Sequence, residues 1–122
     1  MGAELRSISG VDVLVWAEDG PALGADTVID LVGTAMSQRA EWVAVPVPRL
    51  DARFLDLRSG VAGEVVQKLT TYRLGLAVLG DVTGPVAAST ALRDFVREAN
   101  RGRTVWFLAD LDELAARLVG HR

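Results

Sequence analysis

Three short unbroken apolar runs, at residues 42–45 (WVAV), 74–79 (LGLAVL) and 104–109 (TVWFLA), lie between stretches whose apolar residues recur at helical spacing. Runs of this kind suit strands buried on both faces, as in a parallel sheet covered by helices. Parallel neighbours cannot be joined by a tight turn, so strand and helix patterns in alternation restrict the chain to an α/β layer fold. Ahead of the three runs, residues 4–8 and 11–16 flank Ser9-Gly10 and read as a β-hairpin, which Asp19-Gly20-Pro21 closes by turn chemistry.

The helical stretches follow from spacing and caps. Asp26 reads as the N-cap of a helix with Val28, Ile29, Val32, Ala35 and Met36 on one face, ending near Arg39. Pro46 and Pro48 end the first buried strand and turn the chain outward, and residues 50–54 suit a short helical turn. Val61, Val65, Leu69 and Tyr72 then form a core-facing stripe. After Leu79, residues 80–88 read as a loose stretch. Ser89 is the N-cap of a helix carrying Leu92, Phe95, Val96 and Ala99, which Asn100 and Gly102 end. Asp110 with Glu113 has the spacing of a capping box opening a terminal helix through Leu114, Ala115 and Leu118. The expectation is one α/β domain over residues 1–122: an N-terminal β-hairpin, then β-α units, with about five strands in a mostly parallel sheet.

Composition excludes several function classes. A net charge of −3 offers no basic footprint for nucleic acid. With no cysteine there is no disulfide, thiolate nucleophile or thiolate metal site. No apolar run approaches the ~18 residues of a membrane span, and the N-terminus lacks the pattern of a signal peptide. These features lead us to expect a soluble cytoplasmic protein. The chain has no nucleophile elbow, no metal-ligand spacing and neither of the common phosphate-binding glycine motifs. No catalytic residue, metal or cofactor is assigned, and the enzyme case is thin. His121 reads as part of a mobile tail, and Trp16, Trp42 and Trp106 as packing residues in or beside strands.

Ligands of open α/β sheets gather beyond the carboxyl ends of the strands, here residues 51–60, 81–89 and Asp110. The densest segment is residues 56–71 (DLRSGVAGEVVQKLTT), a tight loop entering a helix. Its candidates are Asp56, Arg58, Ser59, Gly60 and Glu64, joined by Asp81 from the next loop. Ser59 reads equally as an N-cap and as a phosphate acceptor at a helix start; caps are the commoner. Glu64 and Lys68 form either an exposed i,i+4 pair or part of a buried polar cluster with Arg58 or Arg93. Asp94, Arg97, Glu98 and Arg101 share a face that reads as solvated.

Two resemblances add to this. The run DARFLDLRSGVAGEVVQKLTTYRLGLAVLGD, followed by STALRDFVREANRGRTVWFLADLDELAARL, resembles the bacterial domain-of-unknown-function family 4180, whose members carry a similar FFDLxTGxAGExxQKxxxYRxxxAxxGD run. The match is close from Asp51 onward. Leu55 and Ser59 stand where the family has an aromatic and a threonine, and the serine keeps the hydroxyl. The layout is also similar to STAS domains of the anti-sigma-factor-antagonist type, in which a serine at a helix start is phosphorylated to switch partner binding. The comparable stretch is residues 54–60, where Asp56 and Ser59 are separated by two residues rather than adjacent.

The resemblance implies a non-enzymatic regulatory or protein-binding module with an unknown protein partner, switched at Ser59. The alternative is a small-molecule or hydrolytic pocket at the strand ends, using Arg58, Glu64 and Asp81. A third reading is a homodimer formed through the hairpin or terminal helix.

Overall fold

Ser9 and Gly10 both adopt positive φ, 53° and 80°, as a two-residue hairpin turn with the twist of its strands requires. They join β1 (Ala3–Ile8) to β2 (Val11–Trp16) in the computed structural model, which describes residues 3–121. The chain continues through α1 (Val28–Ser37), β3 (Trp42–Pro46), α2 (Val61–Thr71), β4 (Gly75–Leu79), α3 (Thr83–Ala88), α4 (Thr90–Arg101), β5 (Val105–Leu108) and α5 (Leu111–His121). Short 3-10 turns at Val47–Arg49 and Leu57–Ser59 lie between β3 and α2. The five strands follow chain order across one sheet; β1 and β2 are antiparallel, and every later pair is parallel. This is the expected architecture.

Alternation along the strands divides the core in two. Leu14, Val43, Val45, Leu76, Val78, Val105 and Phe107 point to the face covered by α1, α2 and α4, where Leu31, Val65 and Leu69 meet them. Val13, Trp42, Ala44, Ala77 and Trp106 point to the other face and pack against Leu114 and Leu118 of α5. The Trp42 and Trp106 rings stack at 4.3 Å across the intervening β4, because Gly75, opposite Trp42, has no side chain to separate them. His121 meets both rings edge-on at 5.9 and 5.1 Å. The expected mobile tail is the last turn of α5, held by aromatic contacts.

The local expectations hold in several places. Ser89 Oγ accepts from Leu92 N at 3.1 Å. Asp110 and Glu113 form a capping arrangement: Glu113 N donates to Asp110 Oδ1, and Ala109 N to Glu113 Oε1. Two differ. The residue preceding α1 is Thr27 rather than Asp26, and its hydroxyl accepts from Gly24 N and donates to Ala22 O. The stretch at 80–88 contains a short helix, α3, because Pro85 lies in its first turn, where a missing N–H costs nothing. The side chain of Asn100 covers the β5 edge, exchanging hydrogen bonds with both backbone groups of Phe107.

Candidate functional site

The turn entering α2 is built by two short side chains bonding to nearby backbone. Asp56 accepts from Arg58 N at 3.3 Å and opens the 3-10 turn. Ser59 Oγ lies 2.7 Å from both Arg53 O and Asp56 O, which share its single hydrogen, and accepts from Val61 N at 3.2 Å. Gly60 follows at φ 81°, a left-handed conformation that glycine adopts without strain, and its carbonyl accepts the first helical bond, from Glu64 N. The hydroxyl thus closes the loop and accepts from the first N–H of α2, but the N-cap position itself is taken by Gly60 rather than Ser59, one residue later than expected; Asp56, Arg58, Ser59 and Gly60 all remain exposed.

Charge around the turn is mostly unpaired. Arg58, Glu64 and Lys68 are exposed and make no ion pair among the described residues. Glu64 is therefore not part of a buried polar cluster; with Gln67, Lys68 and Thr71 it lines a surface depression of about 260 Å³. Arg53 pairs with Asp51 at 3.0 Å. The Arg53 side chain, with a second bond from its backbone N–H, holds the Asp51 carboxyl down at about 2. On α4, Arg93 with Asp94 and Arg101 with Glu98 form exposed pairs at 3.5 and 3.7 Å.

Asp81 stands apart from this group. Its Oδ1 accepts from the hydroxyl and the backbone N–H of Thr83, and those bonds, the hydroxyl's first, lower its pKa. It borders a cavity of about 490 Å³ with Gly80, Thr83, Phe107 and Ala109, beyond the ends of β4 and β5. Neither Arg58 nor Glu64 reaches that cavity, so the three residues of the pocket reading do not share one. Among the described residues no cluster of His, Asp and Glu could hold a metal ion. No helix there is long and apolar enough to cross a membrane.

Sequence reasoning passed over Arg49. It is the buried charged residue of the described chain, 3 % exposed, and Trp16 lies over its guanidinium at 4.1 Å. The signal available was one arginine inside the apolar stretch VPVPRL.

A family model described as "Domain of unknown function (DUF4180)" matches residues 8–118. Neither a curated protein nor a solved structure gives a significant match.

Proposed function

The chain belongs to the DUF4180 family, whose description assigns no activity, and from that premise we propose a non-enzymatic regulatory module that binds a protein partner through residues 56–64. The observation that carries this reading is Ser59: an exposed hydroxyl at a helix start whose hydrogen bonds hold a surface turn closed. The hairpin-first order of the sheet supports a STAS-like relationship, and with it a bacterial cytoplasmic setting.

The chemistry of a switch follows from the bonds. A phosphate ester on Ser59 has no hydrogen to give to Arg53 O and Asp56 O, and its charge of about −1.5 to −2 repels both carbonyls. The same charge is favoured by the first N–H groups of α2 and by exposed Arg58. Phosphorylation therefore opens the turn on one side while docking it on the other, which changes the surface a partner meets.

Intact-mass measurement on protein from its native host, with partner capture by wild type, Ser59→Ala and Ser59→Asp, tests the proposal. We expect a phosphorylated fraction, and a partner retained by one of the two variants and lost by the other. Absence of phosphate together with identical partners for all three proteins would sink it. The strand-end pocket keeps a specific observation in its favour, the cavity beside Asp81. A thermal-shift screen against metabolites addresses it, since a ligand at a hundred times its Kd adds about 2.7 kcal/mol.

A further inference from the structure

Arg49 carries a fixed positive charge into the interior without a carboxylate to balance it. Its Nε donates to Pro21 O at 2.8 Å, and its Nη1 to Ala17 O and Asp19 O at 2.8 and 2.9 Å. These bonds use three of the five donors of a guanidinium. Nη2 has no acceptor among the described residues, and no acidic side chain there makes an ion pair with Arg49. No buried side-chain nitrogen or oxygen of the described residues lacks a partner, so an amine without one must reach accessible space. Arg49 lines a cavity of about 340 Å³.

The cavity runs between the β1–β2 edge of the sheet and α1. Trp16, Ala3 and Leu31 give it an apolar wall. Thr34 on α1 and Gln38, which follows its last turn, line it, and neither side chain forms a hydrogen bond within the described chain. Asp30 adds a single exposed carboxylate. An apolar trough with one uncompensated buried cation calls for a ligand that is apolar along its body and anionic at one end. Asp30 disfavours a second negative charge, which argues against phosphates and dicarboxylates. At ~30 Å³ per water the volume equals roughly eleven water molecules, enough for a ligand of about ten to fifteen non-hydrogen atoms.

We propose that the cavity between Trp16, Arg49 and α1 binds a small monocarboxylate, with its carboxylate on Arg49 Nη2 and its apolar body along Trp16 and Leu31. The site is distinct from the turn at Ser59, and its test stands or falls independently of the switch.

The full chain is titrated with hydrocinnamate, isocaproate and indoleacetate, each beside its neutral amide, and the Trp16 indole N–H signal is followed by NMR. At least one acid binds more tightly than about 1 mM, and its amide at least about tenfold more weakly. Asp30→Asn tightens the acid several-fold, and Thr34→Phe, which fills the trough from an exposed helical position, abolishes binding. Arg49 itself is left intact because it also anchors residues 17–21. The proposal is overturned if no acid moves the Trp16 signal, if acid and amide bind alike, if Asp30→Asn has no effect, or if Thr34→Phe binds as wild type does.

Discussion

Replacing Gly75 with alanine places a methyl group where the Trp42 ring already lies. A Cβ at Gly75 would stand 2.3, 2.4 and 2.7 Å from ring atoms Cδ2, Cε2 and Cε3, far inside the ~3.5–4.0 Å of a normal carbon contact. Retreat is limited, because Trp106 stacks on Trp42 at 4.3 Å and His121 meets its edge. Three terms set the magnitude. Backbone entropy favours alanine in a strand by about 0.5–1 kcal/mol. Overpacking opposes it by about 1–3 kcal/mol, and loss of the aromatic stack by about 0.5–1.5 kcal/mol. The steric terms win, for a net loss near 2 kcal/mol. Urea unfolding, followed by near-ultraviolet circular dichroism as a report on the coupled indoles, should show a lower midpoint with unchanged slope. In a Trp42→Leu background the same substitution should cost almost nothing, since its main clash is gone. Equal or greater stability of Gly75→Ala in the wild-type background, or the same cost in both, would refute the steric account.

Arg49→Met removes three charge-assisted hydrogen bonds to the 17–21 loop and should destabilise the fold by at least about 3 kcal/mol; an unchanged melting temperature would show that the loop is held by other contacts. Ser89→Ala loses the cap on Leu92 N and should cost about 1 kcal/mol in chemical denaturation, with Ser89→Gly milder by most of that amount. The Asp51 carboxyl, lowered from 3.8 to about 2 chiefly by the Arg53 side chain, binds fewer protons in the folded than in the unfolded state between those values. Its contribution to stability is present above pH 3.8 and is lost as pH falls towards 2. A carboxyl titration by NMR should show the Asp51 midpoint moving up in Arg53→Gln, and a midpoint that stays low would refute the assignment to that side chain.

Local pattern is enough for most of the frame. The runs at 42–45, 74–79 and 104–109 become β3, β4 and β5, because a strand buried on both faces requires apolar side chains on both sides of its pleat. Val61, Val65 and Leu69 become the buried stripe of α2, and Ser89 and Asp110 act as caps, since capping involves only neighbours three residues apart. Thr27 displaced Asp26 before α1 because its hydroxyl was committed to the preceding turn, a competition that composition does not reveal. At the candidate site, the sequence identified the turn and its serine. Whether Glu64 was buried depended on what packed over α2, and nothing does at that position.

By itself, then, the sequence determined most of the element types, the hairpin, the parallel sheet and the centre of each buried stripe, because periodicity reports which faces of an element meet the core; Ile29, Met36 and Tyr72, at the margins of those stripes, are exposed. Only the tertiary structure decided what those faces touch. Arg49 finds its three carbonyls 28 to 32 positions back along the chain. The Trp42 ring crosses Gly75 to reach Trp106, and His121 is drawn from an apparent tail into that aromatic cluster. Contacts of this kind join segments far apart in the chain, and spacing rules carry no term for them. The cavity beside Trp16 belongs to the same class, since its walls come from β1, β2, α1 and the turn after β3.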